Sequence, residues 1–196
     1  VLATAQYSHN FPREVPWAGW RNDPAMSGGG GLMGMGVHAL DLLRFVLGQE
    51  AKEIMAFCDP DPAEGRVDWN VTCLLRFENG SSAYAASCLH LPHSKNDLVV
   101  YGSKLRMEAR GTIGMPWQGD LSVTRGNDTT HTSFPCQNPV FDLYVRLVED
   151  FNRSIQQDSA PLATGRDGLA LVQLADAIIR SARERKAVGV SASGSV

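Results

Sequence analysis

The chain has 196 residues, of which 43% are hydrophobic and 20% are charged, a composition typical of a soluble globular domain. Its 18 basic and 21 acidic residues give a net charge of -3. This balance argues against a nucleic-acid-binding protein, because such proteins normally present a basic face. We find no apolar run of the length that a membrane span needs, so no membrane partner is predicted.

The ends and the cysteines of the chain indicate its cellular context. The chain begins with Val1 rather than methionine, and no charged segment followed by an apolar run marks a secretory signal. We therefore expect a part of a longer, cytoplasmic protein. The widely spaced cysteines favour buried free thiols over a disulfide scaffold or a CxxC metal site, and they are Cys58, Cys73, Cys88 and Cys136.

The N-terminal third combines a strand, a long loop and a helix. Residues 2–7 are a predicted strand, and residues 8–31 are a predicted loop with two tryptophans and a run of glycines. A structureless stretch of this length inside a compact domain is usually functional. The apolar spacing of residues 32–47 predicts a helix that ends at Gly48, and a strand is predicted over about 51–59.

Residues 67–77 alternate between apolar and polar side chains, and only Leu74 breaks the pattern. This alternation predicts a strand with one buried face. The other face meets water or another subunit, and its polar residues are Asp68, Asn70, Thr72 and Arg76.

The dipeptide Asn79-Gly80 follows this strand and predicts a type I′ hairpin turn, because both turn positions need positive φ. Pairing Glu78 with Ser81 places Cys73 and Cys88 on one face of the hairpin in diagonal positions. That placement also disfavours a disulfide between the two thiols.

The rest of the chain continues with strands and closes with helices. Strands are predicted near 81–91, 97–102, 104–109, 120–125 and 129–134. Asn138 and Pro139 predict the start of a helix, and Thr164 with Asp167 predicts a capping box for a second one. The apolar stripe of the first helix is Val140, Tyr144, Val148, Phe151 and Ile155. A last short strand is predicted over 188–190.

The order of these elements predicts the fold class. A strand, a helix, a block of antiparallel strands and two final helices are typical of an α+β fold. We expect an open, mostly antiparallel β-sheet with helices packed on one face. Residues 1–190 are predicted to form a single domain, and the Ser/Ala/Gly-rich residues 191–196 a flexible tail.

The glycine-rich segment contains the glycine spacing of a dinucleotide-binding loop, but the residues before it do not form the strand that such a loop follows. Gly29, Gly31 and Gly34 match G-x-G-x-x-G, but the polar residues 21–27 cannot form the apolar strand that a dinucleotide site needs before it. We interpret the match as accidental. The glycines more plainly allow a sharp turn or a close approach of the backbone.

His38 is the first candidate for acid–base chemistry. On a helix it shares a stripe with Gly34 and Asp41, which places a carboxylate one turn from the imidazole. The pattern equally allows a structural histidine that hydrogen-bonds Asp41. A lone acid in an apolar helix is more often structural than catalytic.

Other histidines and aromatic residues carry weaker signals. His90 and His93 flank a proline with no acidic or thiol partner at ligand spacing, so we predict no metal site. Trp17 and Trp20 could stack on a sugar or a nicotinamide ring, but ordinary packing explains at least one of them.

Two separated parts of the chain carry motifs that occur together in one family. The first part contains Trp20-Arg21, Ser27-Gly28-Gly29-Gly30 and Gly36-x-His38-x-x-Asp41-Leu-x-Arg44-Phe45-x-x-Gly48. The second runs from Thr164-Gly-Arg-Asp167 to Ile178-Ile-Arg-Ser-Ala182. Together they resemble the C-terminal domain of the Gfo/Idh/MocA oxidoreductases, and the resemblance covers the whole chain.

The resemblance implies an enzyme of two domains. An N-terminal Rossmann domain, absent from this chain, binds NAD or NADP, and the present domain shapes the pocket for a sugar, inositol or related polyol. By the same resemblance His38 is the catalytic acid–base residue. The substrate-binding candidates are Trp20, Arg21, Gly29, Gly30 and Asp41. No cofactor-binding residue is assigned to this chain, and the fragment alone is expected to be inactive.

One position departs from the family pattern. Many members carry an aspartate four residues before the histidine, and this chain has Gly34 there. A carboxylate at that position would orient the imidazole or raise its pKa. The departure keeps open a second interpretation, a non-catalytic binding or dimerisation module that retains the fold. For the protein as a whole, the resemblance implies a homo-oligomer formed through the sheet face.

Overall fold

The computed structural model describes residues 1–12, 19–114, 118–135 and 139–190. In these residues nine strands form one sheet in the order β8-β7-β6-β5-β1-β4-β3-β2-β9. The strands are β1 Leu2–Gln6, β2 Ala51–Asp59, β3 Asn70–Phe77, β4 Ser82–Cys88, β5 Leu98–Tyr101, β6 Arg106–Arg110, β7 Gly119–Arg125, β8 Asp128–Phe134 and β9 Val188–Gly189. The α-helices are α1 Pro24–Ser27, α2 Val37–Leu47, α3 Pro139–Gln157 and α4 Gly165–Glu184.

Strand β1 sits between strands that follow it much later in the chain. It pairs in parallel with β4, where Ala3 faces Ala83, and antiparallel with β5, where Ala3 faces Val100. The other strand pairs in the described part of the chain are antiparallel. The prediction of an open, mostly antiparallel α+β sheet is therefore confirmed.

Helices α2 and α4 pack on one face of the sheet. Helix α2 contacts β1 and β4, and helix α4 contacts β2. Under α2 the sheet presents small side chains, since Ala3 and Ala5 of β1 lie beside Ala83 and Ala85 of β4. These alanines let the helix approach the sheet closely. The largest apolar side chains of the core are Phe77, Leu32, Leu40, Leu43, Ile54, Leu174 and Ile178.

The helix that leads into the candidate site begins irregularly. Residues Leu32–Gly36 form a π-helical turn that passes directly into α2, and Gly48 ends α2 in the left-handed conformation. By length and composition, Pro24–Leu47 is the one described helical stretch apolar enough to cross a membrane. Its turns are interrupted at residues 28–30, and 44% of its most apolar window is buried inside the structure. Helix α2, the last part of this stretch, packs on the sheet, whereas Pro24–Ser27 has no buried residue.

The hairpin between β3 and β4 is one residue wider than predicted. The Phe77 N–H donates to the Ser81 carbonyl at 2.9 Å, and the Gly80 N–H donates to the Phe77 carbonyl at 3.0 Å. Of the turn residues, Gly80 has positive φ and Asn79 does not, so the predicted type I′ turn was wrong. The three-residue turn pairs Cys73 with Ala85 and Asn70 with Cys88, which places the two thiols on opposite faces.

The thiols that the structure describes are free and shielded. Cys58, Cys73 and Cys88 form no disulfide, and burial raises the pKa of both the Cys58 and the Cys73 thiols to about 12. Such thiols stay protonated at neutral pH and are poor nucleophiles. Cys136 lies outside the described residues.

The prediction that Asp68 lies on the polar face of a strand was wrong. Its side chain is 6% exposed, and it precedes β3 in a segment that lies under the glycine loop. The Asp68 carboxylate accepts hydrogen bonds from the N–H groups of Gly30 at 2.9 Å and Leu32 at 2.7 Å. The Asp68 carbonyl accepts a third from Gly31 at 2.7 Å. The strand begins only at Asn70, and the Asp68 carboxylate that precedes it caps a neighbouring loop.

The C-terminal helices follow the sequence prediction in their bounds. Thr164 and Asp167 form the predicted capping box of α4. Helix α3 forms where predicted, but Tyr144, Val148, Phe151 and Ile155 of its apolar stripe are exposed. The described strands and helices therefore leave this stripe unburied. The predicted N-cap Asn138 and the tail 191–196 lie outside the described residues.

We predict that Gly30→Ala destabilises the domain and that Gly168→Ala does not. A Cβ at residue 30 would lie 2.1 Å from the Asp68 carbonyl oxygen, so the loop must move and release its hydrogen bonds. We expect the free energy of unfolding to fall by about 2–4 kcal/mol. At Gly168 in α4 nothing lies within 4 Å, and alanine should add up to about 1 kcal/mol. Urea melts of both variants measure the difference, and equal stabilities would contradict the close approach.

Candidate active site

A cavity of about 490 Å³ opens at the first turns of α2. Four elements line it: the end of β1, helix α2, the loop after β6 and helix α3. The lining residues are Tyr7, His38, Asp41, Leu42, Phe45, Thr112, Ile113, Gly114 and Tyr144. Three of them have aromatic six-membered rings, and two others are candidates from the sequence: His38 for acid–base chemistry and Asp41 for substrate binding.

Helix α2 places His38 and Asp41 on the side that faces this cavity. The imidazole is exposed, and its ring centroid lies 5.6 Å from that of Tyr7 with the planes at 73°. The Asp41 carboxylate accepts a hydrogen bond from Arg44 Nη1 at 3.2 Å. No hydrogen bond joins His38 to a described residue, so Asp41 does not orient the imidazole in the way that the structural interpretation required. His38 is exposed and lines the cavity.

The remaining predicted substrate residues lie outside the lining of the cavity. Trp20 and Arg21 belong to a short 3-10 turn, Gly19–Asn22, where Trp20 is 51% exposed and the Arg21 guanidinium lies 4.6 Å from its ring centroid. Gly29 and Gly30 are buried against Asp68. The structure thus brings His38 and Asp41 together and leaves these four residues apart from them. Trp17 falls in the undescribed residues 13–18.

The glycine loop has no free N–H groups to offer a pyrophosphate at residues 30–32. The N–H groups of Gly30 and Leu32 donate to the Asp68 carboxylate, and that of Gly31 donates to the Asp68 carbonyl. A buried carboxylate also repels an anion. The residues present do not fit a dinucleotide phosphate here, which agrees with the interpretation of the G-x-G-x-x-G spacing as accidental.

Sequence reasoning missed the other walls of the cavity. Tyr7 was assigned to a strand, Tyr144 to a helical stripe, and residues 112–114 to no element. Tyr7 directly follows β1, at the start of the long loop that is predicted to be functional, and this position is a usable signal. The contributions of Tyr144 and of residues 112–114 depend on chain segments about a hundred residues away from β1, and no local pattern reveals them.

A buried arginine stands behind the cavity and links two helices. Arg44 donates to both oxygens of Glu50, at 2.8 Å and 2.6 Å, and its Nη2 lies 3.4 Å from Asp167 at the start of α4. These contacts raise the pKa of Arg44, chiefly through the Glu50 hydrogen bonds. The hydrogen bonds from Arg44 lower the pKa of Glu50. The pKa of Asp167 is lowered chiefly by its hydrogen bonds with Thr164, and Arg44 lowers it further.

His90 and His93, the two histidines considered as metal ligands, have surroundings that do not resemble a metal site. His90 Nδ1 is 2.8 Å from the Phe11 carbonyl oxygen, and His93 is exposed with φ of 59°. In the part of the chain that the structure describes, no three His, Cys, Asp or Glu side chains come together as metal ligands.

Comparison with known proteins identifies the family. The model of the GFO/IDH/MocA C-terminal domain matches residues 1–108, more than half of the chain. The chain belongs to the Gfo/Idh/MocA family. The resemblance on the loop–helix motif is thereby confirmed, and His38 and Asp41 lie within the matched part of this Gfo/Idh/MocA domain.

Among curated proteins the domain is similar to dehydrogenases and reductases of small molecules. Inositol 2-dehydrogenase of Rhizobium meliloti (strain 1021) is 26% identical over 172 residues, which are 83% of this chain and 50% of that protein. The 1,5-anhydro-D-fructose reductase of Ensifer adhaerens is 25% identical over 173 residues, which are 88% and 51% of the two chains. The chain therefore spans about half the length of the curated relatives it matches.

Solved structures share the fold at lower identity. The aldose-aldose oxidoreductase of Caulobacter crescentus, complexed with glycerol, superposes with a TM-score of 0.80 at 22% identity over 96% of this chain and 55% of that chain. An NAD binding oxidoreductase of Klebsiella pneumoniae gives 0.82 at 23% identity over 97% and 58%. Levoglucosan dehydrogenase in complex with NADH and levoglucosan gives 0.79 at 20% identity over 96% and 58%. These likenesses establish the fold of the Gfo/Idh/MocA domain.

We predict that Arg44→Met lowers the free energy of unfolding by about 2 kcal/mol at pH 7, since a buried guanidinium loses its hydrogen bonds to charged partners. The folded state lowers the pKa of Glu50 and Asp167, so their contribution is present above their ordinary values of 4.5 and 3.8 and is lost as the pH falls below them. Urea melts at pH 7 and about pH 3 should therefore show a smaller difference from wild type in acid.

The matched control is Arg66→Met, because Arg66 forms an exposed ion pair with Glu64 at 3.6 Å. This variant should change stability by less than about 1 kcal/mol at either pH. An Arg44→Met penalty that stays the same at both pH values would show that packing, and not the ion pairs, gives Arg44 its importance.

Proposed function

We propose that this chain is the substrate-binding and oligomerisation domain of an NAD(P)-dependent oxidoreductase that transfers a hydride between a nicotinamide and a sugar, inositol or related polyol. The observation that carries the proposal is the cavity at the start of α2, where His38 and Asp41 face a space of about 490 Å³. The relatives named inositol 2-dehydrogenase and 1,5-anhydro-D-fructose reductase support this reaction class.

His38 is the proposed acid–base residue. Oxidation of a carbinol releases a hydride and a proton, and a bound nicotinamide supplies the hydride acceptor. The imidazole is exposed to the cavity and free of hydrogen bonds to the described residues, so it can accept the hydroxyl proton in one direction and return it in the other.

The walls of the cavity suit a ligand with hydroxyl groups and apolar C–H faces. Tyr7, Phe45 and Tyr144 offer aromatic surface, while Asp41 and Thr112 offer hydrogen-bonding oxygens. Arg44 holds the Asp41 carboxylate, which leaves it able to accept from a substrate hydroxyl. We further propose that the exposed Trp20–Arg21 pair binds the substrate from the loop side, and that Gly29 and Gly30, which are buried against Asp68, contribute by shaping this loop.

The cofactor and the location of the protein complete the proposal. NAD or NADP is bound mainly by a Rossmann domain outside this chain, because the N–H groups of the glycine loop are taken by Asp68. Residues 1–190 act as one domain with 191–196 as its tail, and the protein works in the cytoplasm.

A second candidate function is a binding module that has kept the fold and lost the chemistry. The observation that favours it is Gly34, which places no side chain four residues before His38. A non-catalytic module would bind the same polyols without transferring a hydride. Turnover therefore separates the two candidates.

The proposed function is tested with protein expressed from the whole open reading frame of the source gene, including any sequence upstream of the Val1 codon. We expect an upstream Rossmann domain and NAD(P)-linked oxidation of a sugar or inositol. His38→Gln should lower kcat by about 10²–10⁴-fold, the usual contribution of a general acid–base residue. The chain of 196 residues alone should show no turnover.

The matched control is His131→Gln, which changes an exposed histidine of β8 whose ring contacts Ser122. It should leave kcat unchanged. Wild-type turnover that survives His38→Gln would contradict the acid–base assignment. Polyol binding without any turnover would favour the non-catalytic module.

The exposed face of the sheet supports a homo-oligomer. Phe57, Leu74 and Tyr84 are exposed on the face opposite the helices, and Leu74 lies directly across from Tyr84 in the β3–β4 pair. Leu74 is the residue that broke the alternation of its strand. Large apolar side chains on a sheet face mark an interaction surface, and we propose that a second copy covers it.

We predict that Leu74→Arg converts this oligomer into monomers, because an unpaired charge in an apolar interface costs several kcal/mol. Light scattering gives the mass of the wild type and the variant. Leu169→Arg is the control, since Leu169 is an exposed leucine of α4 away from the sheet face. A monomeric wild type would contradict the proposed assembly.

A further inference from the structure

The Tyr7 ring lies between two histidines. Its centroid is 5.4 Å from that of His9 and 5.6 Å from that of His38, and both contacts are edge-to-face. The Tyr7 hydroxyl lies 3.2 Å from His9 Nε2. Only one of these histidines, His38, lines the cavity with Tyr7. The Tyr7 ring therefore contacts both His38, which lines the cavity, and His9, which is not among its described lining residues.

The position of the phenol is fixed on several sides. The N–H groups of Tyr7 and His9 donate to the carbonyls of Ala86 at 3.1 Å and Cys88 at 2.9 Å, which extends the β1–β4 pairing through both residues. The loop after β6 closes on the ring at Gly114, where a Cβ would lie 2.5 Å from Tyr7 Cε2 and 2.9 Å from its hydroxyl oxygen. Residue 114 must be glycine for the phenol to occupy this place.

His9 is held in turn. Its ring stacks on that of Phe11 at 5.1 Å with the planes at 17°. The Phe11 N–H donates to the Leu89 carbonyl at 2.8 Å. The imidazole that shares a hydrogen bond with the Tyr7 hydroxyl is thus part of a segment tied to the end of β4.

His38 has few other restraints. The carboxylate one turn later, Asp41, is bonded to Arg44, and the position one turn earlier is Gly34, which has no side chain. Within the described ranges no hydrogen bond reaches either nitrogen of His38. The edge-to-face contact with Tyr7 is a specific ring contact of the imidazole.

We propose that Tyr7 is a positioning residue for His38 and that His9 anchors Tyr7 through its hydroxyl. The pair does the orienting work that a carboxylate would do at position 34. This inference rests on the proposed acid–base role of His38, but the geometry it predicts can be measured without turnover. Because a displacement of about 1 Å at a reacting group costs up to about 100-fold in rate, a loosened imidazole should lower kcat.

The first test is an NMR measurement on the chain itself. The Tyr7 ring current should displace the resonances of the His38 ring protons, and the tautomer of His9 should show whether Nε2 accepts from the phenol or donates to it. His9→Ala should reduce the His38 displacement and Tyr7→Phe should change the resonances of His9. His9→Gln should restore most of the displacement, since its amide oxygen can accept from the hydroxyl. His131→Ala is the matched control.

The second test is kinetic and uses the product of the whole open reading frame. His9→Ala and Tyr7→Phe should each lower kcat by about 10–100-fold with KM changed by less than about threefold, and His9→Gln should recover most of the loss. Recovery by glutamine separates anchoring of the phenol from a general loss of packing. His131→Ala should leave both constants unchanged.

The outcomes decide the proposal separately from the proposed function. A His38 displacement that is unaffected by His9→Ala overturns it, and so does a kcat equal to that of wild type in both Tyr7→Phe and His9→Ala. A wild-type protein without turnover would count against the proposed function alone. In that case the resonances of the variants still decide whether Tyr7 holds His38.

Discussion

The carboxylate of Asp68 is the interaction on which the geometry of the site depends. It accepts hydrogen bonds from the N–H groups of Gly30 and Leu32, and these bonds fix the turn that leads into α2, the helix of His38. Burial raises the pKa of this carboxyl, and the N–H bonds oppose that effect. The cost of burying a charge is offset by satisfying donors at the start of a helix, where a negative charge is favoured. The backbone of Asp68 and Trp69 lies so close to residues 30 and 31 that neither position has room for a Cβ atom.

Helix α2 makes different contacts on its two sides. His38 and Asp41 face the cavity, while Arg44 turns toward Glu50 and the first turn of α4. The two sequence motifs that carried the family resemblance therefore meet in space, at the contact between Arg44 and Asp167. One motif supplies an acid–base candidate and the other secures the helix on which it sits. Asp41 belongs to both groups, since it lines the cavity and contacts Arg44.

The sequence predicted the elements well because most of them follow from local rules. The alternation along β3, the glycine stop of α2 and the Thr164–Asp167 capping box each depend on a few neighbouring residues. The failures arose where distant segments meet. The role of Asp68 depends on a loop 36 residues earlier, and the roles of Tyr7 and Tyr144 depend on a cavity assembled from four elements. The hairpin register failed for another reason, since an Asn-Gly pair fits both two-residue and three-residue turns.

The place of β1 in the sheet has a consequence for how the domain folds and where it can be cut. Strands β4 and β5 do not pair with each other, and the five residues of β1 join the two halves of the sheet. The residues that pair with β1 lie about eighty to a hundred positions later in the chain. Because pairing over this separation closes long loops, it costs more chain entropy than local pairing and slows folding. A boundary placed a few residues inside the N-terminus would leave two smaller sheets with new open edges, and such edges promote aggregation.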